Sequence, residues 1–177
     1  GITNARNALG AQKAVTDMTN DMLQKNSELL KQGSPTLDIT DCPDLAPILM
    51  TLASMLNGAM LKGTSRLKIK ESDRGEVMKK ELSKFSADIT VLENEIIIKK
   101  SDLTPPDEIL CGNNDHRIAM SLAVISSVFG GKIENAECVN KSYPLFFKDC
   151  EQLGIKIFKN GSVLKWVWIS KENYQFR

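Results

Sequence analysis

Apolar residues recur every three or four positions in several stretches of the chain, the spacing at which they line one face of a helix. The clearest case lies between Asp115 and Phe129, where Ile118, Leu122 and Ile125 mark one face and smaller apolar residues fill much of the rest. A helix that is apolar on nearly every side is buried. With cap and stop residues included, the pattern predicts helices over residues 44–57, 73–85, 115–129 and 142–153.

Shorter apolar segments predict strands, and three of them carry Asn between two apolar arms, which is typical of a hairpin turn. The predicted hairpins cover residues 22–30, 89–98 and 155–164, with turns at Asn26, Asn94 and Asn160. These Asn residues are almost evenly spaced, and a local pattern that returns at a constant period indicates a repeated structural unit. Further strands are predicted over residues 37–39, 65–69, 108–110 and 132–137.

The order of these elements is β-α-β-α-β-β, and it occurs twice. We predict an α+β fold of repeated units with buried helices and outer sheets, in a single lobe over residues 1–177. The units are expected to cover residues 35–101 and 102–177, preceded by the end of a truncated unit over residues 1–34. Because the chain begins with Gly1 inside an apparent helix, we expect it to be a piece of a longer protein.

Composition narrows the function classes. The chain has 177 residues, 42% of them hydrophobic and 25% charged, with a net charge of +1, so bulk charge favours neither nucleic acid nor an anionic membrane. No apolar run approaches the roughly 20 residues of a membrane span. The cysteines form no Cys-x-x-Cys pair and there is one histidine, so we expect no metal site and reduced thiols in a cytoplasmic protein.

Cationic side chains stand beside three predicted helix starts, within residues 70–74, 115–117 and 141–144. The first turn of a helix presents unpaired N–H groups that attract anions, and Arg or Lys beside it favours a phosphate or carboxylate ligand. Each residue taken alone has a simpler interpretation. Asp44, Asp73 and Asp115 are typical helix caps or first-turn acids, and the Lys and Arg residues are typical of solvated surface.

Four segments resemble motifs of enolpyruvylshikimate phosphate synthase, in that family's order and at about its spacing. They are Asp41–Pro47, Lys70–Arg74, Asp115–Met120 and Lys141–Phe147. The resemblance covers nearly the whole chain and points to the C-terminal lobe of that enolpyruvyl transferase. The family has two similar lobes, each with three β-α-β-α-β-β units and with the active site between them. The resemblance therefore implies that an amino-terminal lobe is missing here.

The resemblance also implies an activity. The family transfers the enolpyruvyl (carboxyvinyl) group of phosphoenolpyruvate to shikimate 3-phosphate and releases phosphate, a step towards chorismate and the aromatic amino acids. It uses no metal and no organic cofactor. By resemblance, Asp44 contacts the acceptor and helps to deprotonate its hydroxyl group, Lys70 contacts the acceptor, and Glu71 lies near the carbon that gains a proton.

Phosphoenolpyruvate brings a phosphate and a carboxylate, so several cations must neutralise it. The resemblance assigns this role to Arg74, Arg117 and Lys141, and places His116 near the same group. One departure concerns the backbone, because Ser86 stands where the family commonly has a Gly that ends a helix.

Two alternatives to this activity stay open. One is the sibling enzyme that transfers the enolpyruvyl group to UDP-N-acetylglucosamine, which is not expected to carry the motifs in this form. The other is a non-catalytic anion-binding module. Whichever activity the whole protein has, we expect this chain alone to be inactive. A purely structural domain predicts instead that Arg74, Arg117 and Lys141 point apart.

Overall fold

The computed structural model describes residues 21–22, 24–69, 72–160 and 163–167. Helix α1 covers residues 24–32, and the later helices are α2 (Ala46–Met55), α3 (Arg74–Ser83), α4 (His116–Phe129) and α5 (Phe146–Gln152). The strands are β1 (Thr36–Asp38), β2 (Gly58–Lys62), β3 (Asp88–Val91), β4 (Glu95–Lys99), β5 (Leu110–Cys111), β6 (Gly131–Glu134), β7 (Lys156–Asn160) and β8 (Val163–Val167).

The strands form two sheets of the same topology. One has the order β1-β2-β4-β3 and the other β5-β6-β8-β7. In each, the first pair is parallel and the remaining pairs are antiparallel. A parallel pair needs a crossover, and α2 and α4 supply it in the two units. The predicted α+β class and its repeated β-α-β-α-β-β order are confirmed.

Helices α2 and α4 pack against each other and against the sheets, so apolar helices lie inside and sheets outside. In β4, Ile96 and Ile98 alternate with more exposed residues and pair with Leu61 and Ala59 of β2, which places all four on the core face. Burying one such aliphatic side chain contributes about 1.5–3 kcal/mol. The two units share one continuous core, which fixes their relative positions.

Helix α4 is the buried helix that the sequence predicts. Ile118, Leu122 and Ile125 are fully buried, and Asp115 is the N-cap residue rather than part of the helix. In α2 the helical spacing of Ile48, Leu52 and Met55 does not mark the most buried face. Leu49 and Met50 are fully buried, whereas Ile48, Leu52 and Met55 are only partly so. Neighbours on several sides of α2 bury more than one stripe, so periodicity alone does not select the most buried residues.

The predicted hairpin over residues 22–30 is wrong, because α1 occupies this segment. Residues 21–32 contain no β-branched side chain and several good helix formers, among them Gln24, Lys25 and Glu28. The burial of Leu30 then anchors the helix to the core. Asn26 therefore lies in a helix, and the hairpin repeat rests on the two later segments.

The predicted strand over residues 65–69 is also wrong. Ser65–Ile69 is a 3-10 turn, and the strand lies earlier, at Gly58–Lys62. Gly58 ends the connection from α2 with a φ of 80°, and a Cβ there would lie 2.4 Å from the carbonyl oxygen of Ile98. Only Gly allows this close pairing between β2 and β4. The apolar run that follows Gly58 therefore becomes the strand.

The two later hairpins are confirmed as β3–β4 and β7–β8. Asn160 pairs with Val163 at the end of the second hairpin, and residues 161–162 between them lie outside the described residues. The predicted helix over residues 142–153 is shorter, at Phe146–Gln152, because residues 142–145 form turns and Pro144 disfavours a helical conformation at the residue before it. The 3-10 turn Ala136–Lys141 shortens the strand expected over residues 132–137 to Gly131–Glu134.

The assignment of residues 1–177 to one lobe, with unit boundaries after residues 34 and 101, stays a prediction. Residues 1–20 and 168–177 lie outside the described part of the chain. Among the residues that the structure describes, no helix is both long enough and apolar enough to cross a membrane.

Replacing Ser86 with Gly is expected to raise the free energy of unfolding by about 0.5–1 kcal/mol. Ser86 has a φ of 69°, a left-handed conformation that strains any residue with a Cβ. The gain exceeds the loss of the exposed hydrogen bond between the hydroxyl groups of Ser86 and Thr104. Urea unfolding measures the change. The matched control is Ser83→Gly at the helical end of α3, which is expected to destabilise by about 0.5 kcal/mol. If both variants change the free energy of unfolding in the same direction, the strain assigned to the left-handed backbone at Ser86 is contradicted.

Candidate functional site

Helix α3 begins at a capped turn that buries an arginine. The side chain of Asp73 accepts a hydrogen bond from the backbone N–H of Glu76 at 3.2 Å, as the sequence predicts for a cap. Arg74 is the first residue of the helix, and its side chain is only 1% exposed. The two residues that the sequence places just before it in the site, Lys70 and Glu71, lie outside the described residues.

A buried ion pair joins α3 to the start of α4. The Nε group of Arg74 donates a hydrogen bond to Oδ2 of Asp115 at 2.8 Å, and the Asp115 side chain is 0% exposed. The hydroxyl group of Ser72 lies 3.3 Å from the same oxygen. The other oxygen, Oδ1, accepts a hydrogen bond from the backbone N–H of Arg117 at 3.0 Å and caps α4.

The protonation of Asp115 depends on these partners. Burial by itself raises the pKa of this carboxyl group, but the hydrogen bond and charge of Arg74, together with the N–H of Arg117, outweigh it and leave the pKa below its usual range. Asp115 is therefore a charged group inside the protein. A buried charge is stable only while its partners remain.

Asp44 bridges two arginines. Its Oδ1 lies 2.6 Å from Nη1 of Arg74, and its Oδ2 lies 2.9 Å from Nη2 of Arg117. Asp44 belongs to a 3-10 turn, Pro43–Leu45, that leads into α2, so this contact joins the two units. The side chains of Asp44 and Arg117 are 43% and 37% exposed, so this end of the cluster faces solvent.

Lys141 meets the same region from a third segment. It ends the 3-10 turn Ala136–Lys141, and its Nζ lies 2.8 Å from Oδ1 and 3.2 Å from the backbone oxygen of Asn114. Asn114 directly precedes Asp115 in the chain. His116 is the first residue of α4, and its side chain is partly buried.

A pocket of about 180 Å³ opens beside the exposed end of the cluster. Asp44 and Arg117 supply its charged groups, and the rest of its lining is mainly apolar: Leu45, Ile48, Met120, Ser121, Val124 and Phe146. A few charged groups at one end of an otherwise apolar pocket are a typical arrangement for a small-molecule site. Within the described residues, no group of three or more His, Cys, Asp or Glu side chains is placed to hold a metal ion.

The structure thus brings together three of the predicted site residues, Asp44, Arg74 and Arg117, and places Lys141 against the turn before α4. Arg74 lies behind the other two, enclosed by the carboxylates of Asp44 and Asp115. The sequence identified Asp115 only as a cap and missed Asn114 altogether. The run Asn113-Asn114-Asp115 before an apolar helix was the available signal, because Asn favours left-handed turns.

Comparison with known proteins gives the context of this cluster. The sequence profile of the family described as EPSP synthase (3-phosphoshikimate 1-carboxyvinyltransferase) matches residues 3–150. The chain belongs to the EPSP synthase family. This membership confirms the resemblance seen in the sequence motifs. The region matched contains Asp44, Arg74, Arg117 and Lys141.

Two relatives show how much of an EPSP synthase the chain represents. A 3-phosphoshikimate 1-carboxyvinyltransferase from Sulfurisphaera tokodaii is 40% identical over 157 residues, which is 88% of this chain and 37% of that protein. One from Clostridioides difficile is 34% identical over 175 residues, covering 85% of this chain and 40% of that protein. The chain therefore spans well under half the length of these relatives.

The solved structure of EPSP synthase from Acinetobacter baumannii has a similar fold. It superposes on 62% of this chain and 27% of its own with a TM-score of 0.55, at 32% sequence identity. The likeness agrees with an α+β lobe of the enolpyruvyl transferase type and with the share of length seen among the relatives.

Proposed function

We propose that this chain forms one side of the active site of a 3-phosphoshikimate 1-carboxyvinyltransferase. Such an enzyme transfers the carboxyvinyl group of phosphoenolpyruvate to shikimate 3-phosphate and releases phosphate. The observation that carries the proposal is the Asp44 carboxylate between Arg74 and Arg117, at the open end of the pocket. These residues lie within the motifs that resemble the family, and the relatives are named for this activity.

Phosphoenolpyruvate fits the charges of this cluster. Arg117 offers a half-exposed guanidinium group that can form two parallel hydrogen bonds to a carboxylate or phosphate. Lys141 adds an exposed ammonium group, and Arg74 adds positive charge from behind Asp44. His116, at the start of α4, completes the set that we assign to this substrate.

The reaction needs a proton acceptor and a proton donor. In the first half, the acceptor hydroxyl oxygen bonds to C2 of phosphoenolpyruvate, its proton leaves, and C3 gains a proton. In the second half, the bond from C2 to the phosphate oxygen breaks, phosphate leaves, and C3 loses a proton. We assign the hydroxyl proton to Asp44 and the chemistry at C3 to Glu71, with Lys70 contacting the acceptor.

Asp44 is available as an acceptor only if its pairing changes. In the structure both of its oxygens contact arginines, Oδ1 with Arg74 and Oδ2 with Arg117. A substrate oxyanion that binds Arg117 replaces one of these contacts and leaves that oxygen of Asp44 facing the pocket. Binding of phosphoenolpyruvate therefore prepares the base in this proposal.

The proposal includes an amino-terminal lobe that supplies the opposite wall of the site and the rest of the substrate contacts. It also includes a cytoplasmic location, supported by free thiols at all four cysteines: Cys42, Cys111, Cys138 and Cys150. One assay distinguishes shikimate 3-phosphate from the alternative acceptor, UDP-N-acetylglucosamine.

The test compares this chain with a two-lobed chimera, in which the amino-terminal part of the Clostridioides difficile relative precedes it. We expect no turnover from the 177-residue chain alone, and release of phosphate by the chimera with phosphoenolpyruvate and shikimate 3-phosphate. Lys79→Ala, which removes an exposed cation paired with Glu76 on α3, serves as the active control. A folded chimera that is inactive, or active only with the UDP-sugar, contradicts the proposal.

A further inference from the structure

The turn before α4 has an unusual backbone. Asn113 and Asn114 both adopt left-handed conformations, with φ angles of 48° and 57°. Asn is one of the few residues with a side chain that visits this region at modest cost. The turn ends at Asp115, which anchors Arg74 and caps α4. Its backbone therefore sets where Asn114 points relative to the cluster.

Asn114 holds Lys141 through two contacts. Both its side-chain Oδ1, at 2.8 Å, and its backbone oxygen, at 3.2 Å, accept hydrogen bonds from Nζ of Lys141. Lys141 belongs to a separate segment, 27 residues further along the chain. A long exposed lysine side chain normally samples many rotamers, and two acceptors from one residue restrict it to a few. The ammonium group is thereby fixed next to the residue that anchors Arg74.

We propose that Asn114 is a positioning residue for Lys141, which it orders beside the arginine cluster before a substrate phosphate or carboxylate arrives. The inference rests on the proposed function, because it takes phosphoenolpyruvate as the ligand of Lys141. A side chain that is ordered in advance loses less entropy when the ligand binds, so affinity rises without any new contact to the ligand.

Asn113 provides a matched comparison. It has the same side chain and the same backbone conformation as Asn114. Its contacts, however, are local: Nδ2 donates to the backbone oxygen of Cys111 at 3.0 Å, and its N–H points to the Cys111 sulfur at 3.4 Å. Gly tolerates left-handed backbone, so both Asn→Gly variants keep the turn. Only Asn114→Gly removes the side-chain acceptor of Lys141.

The experiment uses the 177-residue chain in three forms, unaltered, Asn113→Gly and Asn114→Gly. NMR of lysine ammonium groups reports the order of Nζ in Lys141, with the signal assigned by its loss in Lys141→Arg. Calorimetry measures the affinity for phosphoenolpyruvate. We expect Asn114→Gly to lose the order of Lys141 and to weaken phosphoenolpyruvate binding about three- to tenfold. We expect Asn113→Gly to match the unaltered chain in both, with similar unfolding for all three.

The inference is overturned if Lys141 stays equally ordered in Asn114→Gly, or if the affinity for phosphoenolpyruvate does not change when that order is lost. It is also overturned if Asn113→Gly and Asn114→Gly lose the order of Lys141 and the affinity for phosphoenolpyruvate to the same extent. Failure of the unaltered chain to bind phosphoenolpyruvate counts against the proposed function instead. The Lys141 signal still decides the positioning contact in that case, because it is measured without ligand.

Discussion

Replacing Arg74 with Met is expected to lower the free energy of unfolding by about 3–5 kcal/mol. Arg74 is 1% exposed, and its removal leaves the fully enclosed carboxylate of Asp115 without its charged partner. Asp44 also loses one of its two arginine contacts. Met fills much of the same volume, so the loss reports an uncompensated charge more than a cavity. Urea unfolding of the chain measures the difference.

The double variant Arg74→Met/Asp115→Asn is expected to recover a large part of this loss. Asn is a good N-cap and keeps an acceptor for the N–H of Arg117, while the buried charge is gone. The two substitutions should therefore couple by at least about 1.5 kcal/mol in a double-mutant cycle. The exposed-pair control Lys79→Ala should stay within about 0.5 kcal/mol of the unaltered chain.

The same variant should change the response of stability to pH. In the unaltered chain the pKa of Asp115 is lowered, so its contribution to stability is present above the unfolded pKa of about 3.9 and is lost as pH falls through the lower folded value. Without Arg74, burial dominates and the folded pKa rises above the unfolded one. Relative to the unaltered chain, Arg74→Met should therefore gain stability as pH is lowered from about 7 to about 5. A variant with unchanged stability and unchanged pH response contradicts the buried ion pair.

Replacing Arg117 with Ala in the two-lobed chimera is expected to reduce kcat/KM for phosphoenolpyruvate by about 30- to 1,000-fold, equivalent to about 2–4 kcal/mol. Arg117 carries the exposed guanidinium group at the pocket, and its loss removes charge-assisted hydrogen bonds to a desolvated anion. The free energy of unfolding should change little, because Ala keeps the backbone N–H that donates a hydrogen bond to Asp115. Steady-state kinetics with each substrate varied in turn measures the effect.

Two controls make this result specific. Arg117→Lys keeps the charge but loses the two-pronged geometry, so it should fall between Ala and the original residue. Lys79→Ala removes a cation outside the site and should leave the kinetics unchanged. Kinetics for Arg117→Ala that equal those of the unaltered chimera would remove Arg117 from the site.

The fold was predictable where local chemistry and burial agree. Helix α4 has a capping Asp115, an apolar surface and Gly130 at its end, and all three signals give the same boundaries. The segment 22–30 was predicted wrongly as a hairpin because Asn between apolar residues resembles a turn. The helix-forming residues around Asn26 and the burial of Leu30 in the core favour a helix instead. The strand Gly58–Lys62 was missed because its partner β4 is distant in sequence, and pairing between distant strands leaves no local signal.

The site was predictable in its residue types and less so in its arrangement. The motifs gave Asp44, Arg74 and Arg117, and the structure joins them through one carboxylate. The sequence could not show that Arg74 is enclosed, because its burial comes from the packing of the second unit against the first. It also could not show that Asn114 contacts Lys141, since that contact depends on how the 3-10 turn Ala136–Lys141 packs on α4.

In the proposed function, Asp44 and Arg117 form the open end of an anion site, with Arg74 fixed behind them. The most direct test follows the arginine side-chain NMR signals of this chain while phosphoenolpyruvate is added. We expect a saturable shift of the Arg117 guanidinium signal, while the Nε–H signal of Arg74 keeps its position because its hydrogen bond to Asp115 stays in place. No shift at Arg117, or an equal drift of the signal from the exposed surface arginine Arg66, would contradict this arrangement.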